Sequence, residues 1–365
     1  MNCREVSICK FGSDFDDRKR VIEAIQRNVT NLKYSSDKIK KDKSFILSNN
    51  IDPFGVLYLY DELKNDEKIA SKIIKENKSF KFLGDKIKDN KKIVLKAVKN
   101  INWALEYVSD RLKNDLDVAI QAIKHNMDAY QFIGKKLKNN RKLALIAVKY
   151  NGESLQYMIT KFKADEKIAL EAIKNSFMAF NYIDDELKSS IKFIKKAVKT
   201  NGSILLFLDD KLKKDKKIVL QAIKNDGKAL LYANEKFRTN KKFVLQAVKR
   251  DGNVLLHADM QLRNDSQICL EAIKSNNSAI NYIGDKLRTD KKFMLKAVKI
   301  YGEALSMASD KLRDDFDVVF HAVKQEPSSL RYASDRLFYN KKIINLVLKT
   351  PIENESKALF NILNF

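Results

Sequence analysis

Alanine, a branched apolar residue and lysine follow one another at Ala97, Ala122, Ala147, Ala172, Ala197, Ala222, Ala247, Ala272, Ala297 and Ala322. Every interval is 25 residues. A last variant reads Val347-Leu348-Lys349, and looser copies anchor near Ala24, Asn49 and Ile73 at steps of 24 or 25. A unit this short cannot bury its own apolar face, so neighbours must stack. The predicted fold class is therefore all-α, an α-solenoid (superhelix) of about fourteen two-helix repeats of 24–25 residues. The array is expected to run as one continuous domain over residues 13–350, its first three units degenerate. A cap segment is expected at 1–12 and another at 351–365.

Within each unit the pattern predicts a first helix, A, typified by Lys241 to Lys249. Seven residues before each anchor stands Asp17, Asp42, Asp66, Asn90, Asp115, Asn140, Asp165, Ser190, Asp215, Asn240, Asp265, Asp290, Asp315 or Asn340. Each type carries a side-chain oxygen that can accept from the free amides of a helix's first turn. Helix A then reaches a slot holding Gly152, Gly202, Gly227, Gly252 or Gly302, with Asn102 and Asn277 in the same place and Pro327 once. These residue types predict a left-handed C-terminal cap there. A second helix, B, is typified by Ala229 to Ala233, followed by a small or acidic step such as Gly284-Asp285. Leu245 on A and Tyr232 on B are expected in the core. His257, which takes the place of a column tyrosine, is expected to be core or half-buried.

The pattern ALxYASDKLRxDxxVVLxAVKxNG, visible in Asp290 to Asp315 and again in Asp310 to Ser334, resembles the repeat called domain of unknown function 4116. The resemblance covers most of the chain. It implies an α-helical array and supplies no catalytic residue. The first three units, Met127 and Phe177 depart from the pattern.

Chemistry-bearing residues are sparse. Of three histidines, none stands with cysteine or carboxylate at metal-ligand spacing, and no phosphate-binding glycine loop or nucleophile elbow occurs. No enzymatic activity, metal or cofactor is therefore expected. Asp184-Asp185-Glu186 reads as a solvated turn, and Cys269 as core packing. Cys3, Cys9 and Cys269 are too few and too scattered for a disulfide framework, which points to a reducing compartment. The start, MNCREVSICK, has no apolar signal core, and no run is long enough for a transmembrane helix. Cytoplasmic residence is expected, or delivery into a host cell without a cleaved signal peptide.

Charge is the strongest functional cue. Against 47 acidic residues stand 71 lysines and arginines, a formal net charge of +24. Such an excess favours acidic or polyanionic partners. One lysine column runs from Lys99 to Lys349 in the last turn of helix A, where a cation complements the helix dipole. A second column, from Lys113 to Arg313, precedes the N-caps. A third lies in the first turn of helix A, at Lys142, Lys167, Lys192, Lys217, Lys242 and Lys292, with Lys342 beyond. A cation there opposes the dipole at a cost of a few tenths of a kcal/mol. Its repetition marks a candidate binding ridge.

Apolar residues that break their columns are the candidate contact points. Leu206, Leu231 and Leu256 replace polar residues in three consecutive units, and Trp103 stands in a column otherwise mostly polar. Tyr150, Ile300, Tyr301 and Phe316 are further exceptions. The functional expectation is a non-enzymatic scaffold. Its basic surface engages a protein that is acidic or bears nucleic acid, as an effector or inhibitor would. The alternative is direct, sequence-tolerant binding of RNA or DNA. An anionic membrane surface ranks behind both.

Overall fold

The computed structural model describes residues 17–49, 53–76, 80–126 and 128–348. The two expected terminal caps, Cys3, Cys9, Met127 and Lys349 lie outside the described residues. The chain forms two compact units, residues 1–188 and 189–365. Both are α-helical repeats, with 26 α-helical and 14 3₁₀ segments and no strand among the described residues. All fourteen expected N-caps hold, each side chain accepting from a first-turn amide.

Each full repeat unit has three helical segments rather than two. In one, helix A is Ile191–Thr200, followed by a 3₁₀ segment at Gly202–Phe207 and one α-turn at Asp210–Lys213. Helix B divides because the step residue between its halves is drawn elsewhere. Asn234 donates its amide to the carbonyl of Lys213 in the preceding unit, at 3.2 Å. Gly134 bonds Lys113 at 2.8 Å, Gly284 bonds Arg263 at 2.7 Å and Ser334 bonds Arg313 at 3.0 Å. That amide is lost to the helix, and side chains at the step, such as Asp209 and Ser334, cap the next turn. The second basic column therefore holds the units together through its backbone carbonyls.

The core is a narrower stripe than the sequence pattern implies. In helix A the buried residues are Phe243, Val244, Ala247 and Val248, one face at helical spacing. Leu245 turns to the edge of that face and is half-buried. In the 3₁₀ segment Val254, Leu255 and Ala258 are buried, while His257 is exposed and Tyr232 half-buried. Three residues per turn place the interior two positions before and one after the tyrosine column, at Leu255 and Ala258, and leave the column itself at the edge. Cys269 is core, as expected; burial, aided by the nearby Asp265 charge, pushes its thiol up to about 12.

The glycine slot also has a different cause. None of Gly152, Gly202, Gly227, Gly252 and Gly302 has a positive φ. Helix A ends on an extended residue such as Asn151, φ −146°, and the glycine opens the 3₁₀ segment. What requires glycine is close approach. A Cβ on Gly252 would sit 2.1 Å from the carbonyl oxygen of Ala272 in the next unit, and one on Gly152 2.3 Å from that of Ala172.

From residue 91 on, ion pairs from the first residue of helix A to the cap of the next unit occur only at alternate units, whereas Arg18–Asp42 and Lys43–Asp66 are consecutive. Arg141 at the start of one helix A binds the cap Asp165 of the next at 2.8 and 3.0 Å. Lys241 binds Asp265 at 2.6 Å, Lys91 binds Asp115 at 2.8 Å and Lys291 binds Asp315 at 2.7 Å. In the units between, the same first position holds Leu116, Glu166, Ser266 and Phe316, and Lys216, whose neighbouring cap is the uncharged Asn240. Gly152 and Gly202 receive a further tie, each donating to Asn175 or Asn225 of the partner unit at 2.8 and 2.7 Å. From residue 90 on these bridges group the units in pairs, whereas the glycine contacts run on without a break through Gly202, Gly227 and Gly252 in three consecutive units.

The paired caps make the fold acid-sensitive. Hydrogen bonding to Arg141 holds the Asp165 carboxyl below the ordinary aspartate range, against the opposing pull of burial. At Asp115, Asp265 and Asp315 burial pulls upward, and the ion pair and amide bonds outweigh it. A carboxylate with a depressed folded pKa stabilises fully above its unfolded value, about 3.9. That contribution is lost as pH falls through the folded pKa. Urea unfolding between pH 6 and pH 2 is expected to show stability dropping below about pH 4. In Asp165→Asn, which retains a cap-forming oxygen, the drop should be shallower; an unchanged profile would show that the bridge contributes nothing.

Candidate binding surface

The ridge lysines occupy the second position of helix A, directly after the residue that forms the bridges just described. Lys142 follows Arg141, Lys242 follows Lys241 and Lys292 follows Lys291. One residue advances the side chain by about 100° around the helix, which turns it away from the neighbouring cap. Lys142 and Lys167 in the first compact unit are exposed, as are Lys192, Lys217, Lys242 and Lys292 in the second. Among the described residues no carboxylate pairs with any of the six, whereas four cations at the first position are neutralised. Amides of the same first turns, such as Lys167 N and Lys217 N, are already held by Asp165 and Asp215. The lysine ammonium groups, not the helix ends, are what this surface offers an anion.

Leu206, Leu231 and Leu256 lie on 3₁₀ segments at Gly202–Phe207, Gly227–Tyr232 and Gly252–His257, which stack in sequence. Leu206 is 40% exposed and Leu256 46%, but Leu231 is half-buried. The structure therefore gives two exposed leucines flanking a partly covered third. Trp103, 49% exposed, belongs to the first compact unit, where its ring meets the edge of Phe132 at 5.7 Å. Tyr150 is exposed, with the Lys124 ammonium 5.9 Å from its ring centre. Two of the other exceptions have local explanations: Tyr301 donates to Glu303 at 2.8 Å, and Phe316 stacks on Phe320 at 5.8 Å.

The acidic trio is a turn. Asp184 accepts from the Glu186 amide at 3.0 Å, and Asp185 pairs with Lys188 at 2.7 Å. Among the described residues no group of histidines, cysteines and carboxylates could hold a metal ion. No helix among them is long and apolar enough to cross a membrane.

One feature of this surface escapes the column reading. A depression of about 460 Å³ in the second compact unit is lined by Lys195, Lys196, Val198, Lys199, Lys217, Ile218 and Gln221. The available signal is Lys195 itself, which replaces an apolar residue in a column that is otherwise apolar from Leu95 to Phe320.

A family model for the domain of unknown function DUF4116 matches residues 90–138, 140–188, 191–238, 240–288 and 290–338. The matches span well over half of the chain. It belongs to the DUF4116 family. Each DUF4116 repeat spans two of the 25-residue units, and four of the five begin at or beside an asparagine or aspartate cap followed by a cation. The Lys91–Asp115, Arg141–Asp165, Lys241–Asp265 and Lys291–Asp315 bridges all fall inside single repeats. The third DUF4116 repeat departs from this rule, because Ile191 stands where the bridging cation would be. No curated protein and no solved structure matches the chain.

Proposed function

We propose that this chain is a non-enzymatic binding scaffold whose basic surface engages a protein partner that is acidic or nucleic-acid-bearing, as an effector or an inhibitor would. The observation that supports this is the contrast between adjacent cations on the same helices. Arg141, Lys241 and Lys291 at the first position are spent on bridges between units, while Lys142, Lys242 and Lys292 beside them stand exposed and unneutralised at a dipole-opposing site. A column that costs stability and joins nothing within the fold is suited to an external anion. The exposed Leu206 and Leu256 favour a protein as its bearer, since apolar side chains gain little from a phosphate backbone. Direct RNA or DNA binding is the second reading, favoured by Trp103, whose exposed ring could stack on a base.

The quadruple variant Lys167→Glu, Lys192→Glu, Lys217→Glu, Lys242→Glu tests the ridge. Acidic residues at the second helical position suit the dipole, so folding should hold. Binding to polyanions should collapse, each lost phosphate contact flattening the log–log salt slope by about 0.9. The double variant Leu206→Ser, Leu256→Ser should keep polyanion binding and lose the protein complex; Leu231 is left in place because it is half-buried. Fluorescence anisotropy with single-stranded RNA and duplex DNA at two salt concentrations, beside pull-downs with and without nuclease, reads both. Retention of the partner by the charge-reversed variant would reduce the ridge to a solvated edge.

A further inference from the structure

We propose that the depression between Ile191–Thr200 and Lys216–Asn225 is a site for a small ligand carrying two or three linked phosphate groups, held by Lys195, Lys199 and Lys217. Three independent observations converge on it. The first is a break in a column. From residue 95 to residue 320 the positions equivalent to 195 hold Leu95, Ile120, Leu145, Leu170, Leu220, Leu245, Leu270, Leu295 and Phe320, every one half-buried, and the column turns polar elsewhere only in the outer units, at Ser71 and Asn345. Lys195 is exposed. An apolar side chain that elsewhere covers the helix is here replaced by a flexible cation, and a hollow is left beside it.

The second is a missing counter-charge. One repeat further along, Lys249 lies 3.9 Å from the carboxylate of Glu271. The corresponding pair is Lys199 and Gln221, both lining the depression. Glutamine keeps the length and polarity of glutamate and removes its charge. Lys199 thus faces a neutral amide at the place where its counterpart meets a carboxylate.

The third is shape. The depression measures about 460 Å³, within the range of small-molecule sites, and buried Val198 and Ile218 contribute to its wall. No carboxylate lines it, while Lys195, Lys196, Lys199 and Lys217 do. Like charges brought together over a low-dielectric wall focus a positive field. A single phosphate screened by water gains little from one lysine. A di- or triphosphate places several negative charges in one compact volume and matches the cluster. This site stands apart from the extended ridge, with which it shares Lys217 alone.

Isothermal titration calorimetry of the full chain with inorganic tripolyphosphate, at physiological salt, tests the inference. Lys195→Leu restores the residue of its column, so folding should be preserved. Lys311→Ala removes an exposed lysine elsewhere in the same compact unit, outside both the ridge and the depression. Wild type is expected to bind one tripolyphosphate per chain. Lys195→Leu should weaken binding by about ten-fold or more, and Lys311→Ala by less than about two-fold. Equal losses in the two variants, several weak equivalents per chain, or undiminished binding in Lys195→Leu would overturn the site. ATP run in parallel names the ligand type: tighter binding than tripolyphosphate indicates a nucleotide, equal binding the phosphate chain alone. The site can fail while the ridge survives, because Lys195 lies outside the ridge.

Discussion

Gly252→Ala should destabilise the second compact unit by about 3 kcal/mol, at the upper end of overpacking costs. The added methyl group would lie 2.1 Å from the Ala272 oxygen, 3.0 Å from its carbonyl carbon and 3.1 Å from the Asn276 nitrogen. All three are backbone atoms of the next helix A and its cap, so no side chain can swing aside. Relief requires neighbouring units to move apart, which loosens the packing of Leu255 and Ala272, both fully buried. The slot is permissive one unit further on, where Asn277 occupies it and is exposed. Asn277→Ala should therefore stay within about 0.5 kcal/mol of wild type. Urea unfolding followed by circular dichroism separates the two outcomes. Similar stabilities for both variants would mean that the units stack less closely than described.

Phe243→Ala is expected to cost about 3–5 kcal/mol. Its ring is buried and packs against Phe237 at 4.5 Å, and truncation would leave a cavity among side chains fixed by two units. Leu245→Ala, two residues away but half-buried, should cost clearly less. Stability in stacked repeats is close to a sum of unit and interface terms, so the Phe243 variant should unfold in more than one step. Calorimetry would show a low-temperature transition separating from the main one. A single shifted transition would indicate that the second compact unit unfolds as a whole.

Much of this architecture is written in the chain's columns. Asparagine, aspartate or serine before each apolar block fixes where every helix A begins. That in turn places the ridge lysines one residue beyond the bridging position, which is why their exposure could be anticipated. The division of helix B could not be. It depends on step amides such as that of Asn234 bonding to a carbonyl one unit back, and an amide leaves no trace in residue type. The glycine slot misleads for a related reason: glycine serves a left-handed turn and a close approach equally well, and only the position of Ala272 decides between them. Apolar residues keep the 25-residue period because every unit needs the same core, whereas bridging residues keep twice that period. Lys195 is the hardest to read, since one departure in a column looks like ordinary variation until Lys199, Lys217 and Gln221 are found beside it.

The pairing of units also bears on how such a chain can lengthen or shorten. If residues 290–339 were excised, the bridge from Lys291 to Asp315 and the contact of Gly302 with Ala322 would leave together, each with its partner. Asn340 and Lys341 would then follow the preceding pair much as Asp290 and Lys291 do now. Removing one unit, from Asp290 to Asp314, leaves mismatched halves. Asp315 would inherit Ser266 in place of its lysine, and Asn277 would fall where glycine now meets the Ala322 oxygen. Duplication and loss in steps of two units preserve every joint, and steps of one do not. The heritable building block of this array is the pair.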